Sequence, residues 1–165
     1  MGSIKSILQF VSYKVDSINL ATKNTLGVVG NYYSGHEDWK FQYGLAQPIY
    51  FKDSSVYVTG TTVKAFCGSQ ADPDVSLDIS ISGVFMCEGE KETPVDDDFI
   101  KVQMPAILSP YLRGAITYIL AMAGFGQVIP PLVNFRNMAE EALKDIPILI
   151  ESGQPEAIEE ESKDN

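Results

Sequence analysis

Residues 104–126, MPAILSPYLRGAITYILAMAGFG, form a long apolar segment in which Arg113 is the only charged residue. The segment is long enough for about six helical turns. Its larger side chains recur at three- and four-residue steps, which predicts a helix with one apolar face. These side chains are Met104, Ile107, Leu108, Tyr111, Leu112, Ala115, Tyr118, Ile119 and Met122.

The other side of this predicted helix carries small residues and a proline at a similar spacing. They are Pro110, Gly114, Thr117, Ala121 and Gly124. A helix that is apolar on one side and uncharged on the other has no side suited to water. Both sides therefore need a cover, and the large residues are expected to lie on a sheet or a neighbouring helix.

A transmembrane role is not expected for this segment, although its length is nearly sufficient. Pro105, Pro110 and Gly114 interrupt it, and the central Arg113 costs roughly 2.5–3.5 kcal/mol on insertion scales. The flanking residues also lack basic clusters. We therefore expect no membrane insertion.

Four segments that precede the helix have the residue pattern of β-strands. They are residues 7–21, 39–51, 56–67 and 75–87. In the last of them, apolar residues at odd positions from Val75 to Ile81 alternate with serine and aspartate, which indicates a sheet with one buried face. The first segment alternates imperfectly. In it we expect Phe10 on one side of the sheet and Val11, Tyr13 and Val15 on the other.

A second, shorter helix is predicted over residues 135–146, with Asn134 as its N-cap and Pro147 as its end. Four strands followed by two helices predict an α+β fold. We expect a four-stranded antiparallel sheet followed by one long and one shorter helix packed on one face. Residues 1–150 are assigned to one domain, and the acidic segment 151–165 is expected to be a disordered tail.

Charge and cysteine content narrow the possible partners and compartment. Twelve Lys and Arg residues against 22 Asp and Glu residues give a net charge of −10, which disfavours nucleic acid and anionic membranes as partners. The sequence has no recognisable secretory signal. Two cysteines cannot form a disulfide framework, so we expect reduced thiols and a cytoplasmic location.

The sequence offers few residues for catalysis or metal binding. His36 is the only histidine, and neither Cys67 nor Cys87 has a histidine at a recognisable motif spacing. The acidic run at 96–98 lacks the alternating ligands and closing glutamate of a calcium loop. We therefore expect no enzyme, no metal and no cofactor. The apolar helical stripes are either core or the lining of a groove for extended polypeptide, and the residues alone leave both open.

Three motifs resemble the SecB family of protein-export chaperones. They are GVFMCEG at 83–89, MPAILSPYLRGAI at 104–116 and PPLVNF at 130–135. The resemblance implies a four-stranded antiparallel sheet in each subunit, edge-to-edge dimers, and a tetramer in which two dimers stack through their long helices. It also implies that the protein holds non-native polypeptides in apolar grooves without ATP, metal or cofactor, and delivers preproteins to the SecA motor.

The same resemblance implies roles for particular residues. The groove is expected at Phe85, Met104, Ile107, Leu108, Phe135, Met138 and Leu143. Asp16 and Asp78 are expected to contact the motor, whereas Leu20 stands where the family has a further carboxylate. Contact with a helix of another subunit is expected at Gly114, Thr117, Ala121 and Gly124, although small residues could equally accommodate a second layer of the same subunit.

Three functions remain open at this point. The first is a general export chaperone, and the second is a dedicated SecB-like chaperone for the antitoxin of a toxin–antitoxin pair. The third is a module that binds a small apolar ligand between helix and sheet. The apolar segments lack convergent polar groups, which counts mildly against the third function.

Overall fold

The computed structural model describes residues 8–23, 38–87 and 98–153. Within strands, the side chains of Leu8 and Cys87 are outside this description. His36, most of the 96–98 acidic run and most of the expected disordered tail also lie outside the described residues.

The described residues form one mixed sheet of six strands, with the helices on one of its faces. The strand order is β1-β5-β4-β3-β6, and β2 pairs with β4 beside β3. The strands are β1 Leu8–Thr22, β2 Lys40–Leu45, β3 Ile49–Phe51, β4 Val56–Gly68, β5 Pro73–Cys87 and β6 Leu149–Glu151.

The α+β class is therefore confirmed, but the four-stranded antiparallel sheet is wrong in two details. The predicted strand over 39–51 is divided into β2 and β3, which both pair antiparallel with β4. Pro48 lies in the break, because proline has no N–H to donate to a ladder. The second difference is β6, which pairs parallel with β3. Its three exposed residues have no pattern that predicts a strand.

The helices lie on one face of the sheet, here called the inner face. The alternating apolar residues predicted in β5 are buried on this face. Val75, Leu77, Ile79 and Ile81 are at most 2% exposed. The intervening serines and Asp78 lie on the opposite, outer face and are partly exposed. This confirms the expectation of one buried and one hydrated face.

The long helix α1, Met104–Met122, follows a π-helical turn at Phe99–Gln103 that the sequence pattern did not predict. Every fourth residue of α1 is buried, namely Met104, Leu108, Leu112, Ile116 and Leu120. The predicted apolar face is therefore wrong in its membership, because several of its large residues are exposed on the other side. Within the described ranges, no helix has the length and apolar character needed to cross a membrane.

Helix α1 ends four residues earlier than predicted, because Gly124 stops it. Gly124 has a φ of 95°, which favours glycine over residues with a Cβ. Its N–H donates to the Ala121 carbonyl at 3.1 Å, and the Phe125 N–H donates to the Leu120 carbonyl at 2.9 Å. These two bonds form a Schellman motif, so Gly124 is a cap residue beyond the helix.

The linker between the helices, residues 125–134, is fixed by side chains that donate to its carbonyl groups. Arg113 Nε donates to the Pro130 carbonyl at 3.1 Å, and Thr117 Oγ1 donates to the Val128 carbonyl at 2.7 Å. Tyr43 on β2 donates to the Pro131 carbonyl at 3.3 Å. The only charge of α1 thus serves to hold the linker along the helix.

The second helix, α2, spans Phe135–Ala142, and Asn134 caps it as predicted by accepting a bond from the Asn137 N–H at 3.2 Å. The predicted extension to residue 146 is wrong. Glu140 and Glu141 lie at the C-terminal end, where the helix dipole disfavours negative charge. Pro147 also disfavours helical geometry at the residue before it.

Gly83 on β5 is the position where α1 approaches the sheet most closely among the glycines. A Cβ added there would lie 2.5 Å from Leu108 Cδ2 and 3.1 Å from Leu108 Cδ1. We expect Gly83→Ala to lower the free energy of unfolding by about 1–3 kcal/mol through overpacking, and Leu108→Ala to lower it by about 2–5 kcal/mol through a cavity.

Denaturant unfolding of both single variants and the double variant measures this contact. The double variant should lose less than the sum of the single losses, because Ala at position 108 makes room for the added Cβ. Strictly additive losses would show that the two residues do not press on each other.

Candidate functional site

Most residues expected in the groove lie in the core. Phe85, Met104, Leu108 and Leu143 are at most 1% exposed, and Phe135 is 8% exposed. Only Met138, which is half-buried, and Ile107, which is 38% exposed, reach the surface substantially. A direct role in client binding remains a prediction for these residues, and in this conformation most of them offer no surface to a client.

Exposed apolar side chains instead occur on the inner face of β1. Tyr13, Val15 and Ile18, here called the strand patch, are 44%, 42% and 52% exposed. They lie opposite Gly83, Ile81 and Ile79 in the β1–β5 ladder, and thus face the helix side of the sheet. They are only partly covered, because the main sheet contacts of α1 are with β5 and β4, whereas β1 lies at the sheet edge.

Two β-bulges explain why the strand patch was not evident from the sequence. The pairing with β5 shifts between Phe10 and Ser12 and again between Val15 and Ser17. Each bulge adds one residue to β1 without a partner. As a result Phe10, Tyr13 and Val15 share one face, and the expectation that Phe10 faces away from the other two is wrong.

A second exposed apolar region lies on α1. Five residues with a helical spacing of three or four form one exposed side of α1, here called the helix patch. They are Ile107, Tyr111, Gly114, Tyr118 and Ala121. Tyr111 joins this patch to β1, because its ring centroid lies 4.4 Å from that of Tyr13 and 5.5 Å from that of Phe10. The two patches are therefore in contact.

The four residues expected at the oligomer interface have different surroundings. Gly114 and Ala121 are exposed in the helix patch, and a Cβ added at Gly114 would meet no atom within 4 Å. Thr117 is half-buried and bonded to the linker. Gly124 caps α1. Of the four residues, Gly114 and Ala121 are therefore the two that lie in the helix patch.

The two carboxylates expected to contact a motor lie on the outer face. Asp16 accepts a hydrogen bond from Ser82 Oγ at 3.1 Å and lies 3.3 Å from Lys14 Nζ. Asp78 is paired across the β4–β5 ladder with Lys64. Asp16 therefore forms an ion pair with Lys14, and Asp78 has Lys64 as its cross-strand neighbour.

Leu20, at the position where the family has a further carboxylate, lies on the inner face of β1 opposite Leu77 and packs against the core. This location explains why an apolar residue is present. It also separates Leu20 from Asp16 and Asp78, which lie on the other side of the sheet.

The outer face also contains two shallow depressions that share Thr62 and Ser80. One, of about 390 Å³, includes Asp78 in its lining, and the other, of about 300 Å³, includes Asp16. No group of three or more metal-ligating side chains occurs in the described part of the chain. The depression that includes Asp78 has both polar and apolar lining, whereas the one that includes Asp16 is lined mainly by apolar surface.

Electrostatic contacts position α2 and its linker. Arg136 donates two hydrogen bonds to the Asp98 carboxylate, at 2.7 and 3.1 Å, which raise the pKa of the guanidinium and connect α2 to the π-helical turn. Burial raises the pKa of Tyr43, an effect partly offset by the charge of Arg113. Tyr43 therefore remains a neutral donor to the linker.

Ile129 and Leu132 of the linker are 64% and 84% exposed.

Sequence comparisons give no assignment: no family model matches the chain, and no curated protein matches it. Among solved structures, the chain is similar to the Mycobacterium tuberculosis Rv1957 SecB-like chaperone, which is in complex with a ChAD peptide from the Rv1956 HigA1 antitoxin. The match has a TM-score of 0.61 and 11% identity, and covers 76% of this chain and 90% of that chain.

A protein of unknown function from Streptococcus agalactiae also matches, with a TM-score of 0.42 and 12% identity over 76% of this chain and 97% of that chain. Of these two matches, the first is close enough to support an argument about fold. Together with the sheet and helix arrangement described above, it shows that this chain has a SecB-like fold.

Proposed function

We propose that this protein is a non-catalytic, ATP-independent chaperone of the cytoplasm that holds extended segments of non-native polypeptides. The observation that carries this proposal is the strand patch, a set of apolar side chains on the helix side of a SecB-like sheet. Exposed contiguous apolar residues in a chain of net charge −10 are typical of an interaction site.

The strand patch has the chemistry that a non-native segment requires. Tyr13 supplies aromatic surface, and Val15 and Ile18 supply aliphatic surface. Apolar contact is non-directional, so it accepts many sequences. The negative charge of the chain also favours the approach of basic segments and disfavours acidic ones.

The fold and surface chemistry are compatible with either client class considered above, but the balance now favours the antitoxin. The structurally similar Rv1957 is bound to an antitoxin peptide. Delivery to SecA would instead depend on Asp16 and Asp78, and each has a lysine beside it. We therefore propose a dedicated client, with general export as the second candidate.

We also propose that the chain assembles into a homo-oligomer, a tetramer formed as a dimer of dimers. Among the described residues, β1 has a strand partner only on the β5 side, and such an edge is a template for pairing. The helix patch offers a flat, uncharged surface against which a second helix could pack. In this proposal the helix patch is an assembly surface and the strand patch binds clients.

Light scattering of an aggregating client tests the strand patch. We expect excess wild-type protein to suppress the scattering, and Val15→Glu/Ile18→Glu to weaken client binding roughly tenfold or more, because two apolar contacts are lost. Ser12→Glu is the matched control, since it adds a charge to the same strand on the outer face, opposite Val84. Unchanged aggregation with excess wild type would refute the chaperone proposal.

Substitutions at Gly114 test the assembly. In an isolated subunit, Gly114→Ala should raise the free energy of unfolding by up to about 1 kcal/mol, because alanine favours a helix and the added Cβ meets no neighbour. In an oligomer that packs through the helix patch, Gly114→Leu should dissociate the subunits. Sedimentation distinguishes the cases, and a stable wild-type monomer of 18.1 kDa would exclude the oligomer.

A charge reversal at Asp78 separates the two client classes. If the protein delivers clients to a SecA motor, Asp78→Lys should weaken the measured affinity for SecA, because it removes a carboxylate contact. Equal SecA affinity of wild type and variant would remove the motor role from Asp78. Recovery of one antitoxin, rather than a broad client set, by co-purification and mass spectrometry would support the dedicated role.

A further inference from the structure

The strand β6 differs from every other strand in the sheet. It has three residues, and its ladder with β3 is parallel, whereas the ladders among β1 to β5 are antiparallel. All three side chains are exposed, including Leu149 at 40% and Ile150 at 60%. A parallel edge strand that buries none of its side chains gains little from packing.

The bonds that hold β6 are made by its backbone. The Leu149 N–H donates to the Pro48 carbonyl at 3.0 Å, and the Glu151 carbonyl accepts from the Lys52 N–H at 3.1 Å. Outside the strand, Gln47 Nε2 donates to the Pro147 carbonyl at 2.8 Å. The Gly153 N–H donates to Asp53 Oδ2 at 2.8 Å. Because each contact on the β6 side uses main-chain atoms, another chain with a different sequence can make the same bonds.

The strand β3, which pairs with β6, is held in the sheet by contacts that do not involve β6. Tyr50 of β3 is 6% exposed, and its ring stacks on that of Tyr57 in β4 at a centroid distance of 4.4 Å. β3 also pairs with β4 over its three residues. Removal of β6 would therefore leave β3 in place, with Pro48 and Lys52 presenting an unpaired acceptor and an unpaired donor at the sheet edge.

We propose that β6 is a displaceable strap that covers a peptide-binding edge on β3. An extended, proline-free aliphatic segment of a client takes the place of Leu149–Glu151 by main-chain pairing, as in β-strand addition. This inference rests on the proposed chaperone function and adds a second contact mode to it. The strand patch binds side chains, whereas the β3 edge binds backbone.

The structure also explains why a strap is useful in the absence of a client. An open strand edge is a template for unwanted pairing with other chains, and β6 blocks it. The strap stays close after release, because Leu143 is buried and Ile148 packs against the core just before it. The client therefore competes with a tethered segment. Its apparent association constant is the intrinsic constant multiplied by the fraction of molecules in which the edge is open.

Two full-length variants shift this competition in opposite directions. Leu149→Pro removes the N–H that bonds to Pro48, whereas the matched control Leu149→Ala retains it. Ile49→Cys/Leu149→Cys places two thiols at paired positions of the β3–β6 ladder. Oxidation then locks the strap, and the reduced form of the same protein is its control.

The probe is a fluorescently labelled, unstructured 12-residue peptide rich in valine and isoleucine, whose binding is followed by anisotropy. We expect Leu149→Pro to bind it about tenfold more tightly than wild type, and Leu149→Ala to bind it like wild type. Oxidised Ile49→Cys/Leu149→Cys should bind it several-fold more weakly than the reduced form. A peptide N-methylated through its central residues, which lacks the N–H donors, should lose the tenfold gain.

The results separate this inference from the chaperone proposal. If wild type binds the peptide and suppresses aggregation, but opening and locking the strap leave the affinity unchanged, β6 is a structural strand and the inference is overturned. Equal binding of the N-methylated peptide to Leu149→Pro would overturn it as well. If neither wild type nor any variant binds peptide or suppresses aggregation, both proposals fail. Should Leu149→Pro not fold, the oxidised and reduced forms of the double-cysteine protein decide alone.

Discussion

The contact between Leu108 and Gly83 sets the position of the helix layer on the sheet. Because Gly83 has no Cβ, Leu108 can lie directly on the backbone of β5. The buried residues of α1 then follow at every fourth position and pack over β5 and β4. A helix centred on these strands covers the edge strand β1 only in part, so the partial exposure of Tyr13, Val15 and Ile18 is a consequence of this packing.

The second constraint is that carbonyl groups of the linker need hydrogen-bond donors. Pro130 and Pro131 have no N–H to donate, which disfavours regular hydrogen-bonded structure at this point of the linker. Arg113, Thr117 and Tyr43 supply donors to three of its carbonyls. The linker is therefore fixed before α2 begins. The buried side chains of Phe135 and Ala139, the Asn134 cap and the Arg136–Asp98 ion pair then position α2. Since this ion pair is exposed, it contributes little to stability and mainly selects a position.

The sequence was informative where one side of an element is polar. The alternation in β5 identified the buried face of the sheet, and Asn134 correctly marked the start of α2. In α1 both sides are uncharged, so periodicity could not tell the buried residues Ile116 and Leu120 from the exposed residues Tyr118 and Met122. β6 was missed because it is held by main-chain bonds, which leave no residue pattern.

The candidate site was harder to predict for a related reason. Apolar residues proposed for a groove have the same chemistry as core residues, and Met104 and Leu143 proved to be core. The strand patch was obscured by two bulges in β1, because side chains do not alternate strictly between the faces of a sheet across a bulge. Asp16 and Asp78 lie on the outer face, and their role in motor contact stays a prediction. Lys14 is only two residues before Asp16, whereas Lys64, the cross-strand neighbour of Asp78, lies on another strand and became apparent only in three dimensions.

The bulges in β1 give this strand an unusual tolerance to changes in length. Val11 and Asp16 are the residues that have no counterpart in the β5 register. Deleting either one would convert the bulge into a regular ladder and leave every other β1 side chain on its present face. Deleting a paired residue such as Lys14 would instead turn one part of the strand over. Related chains can therefore differ by one or two residues here and still present the same apolar surface, which makes β1 difficult to align by sequence although its geometry is retained.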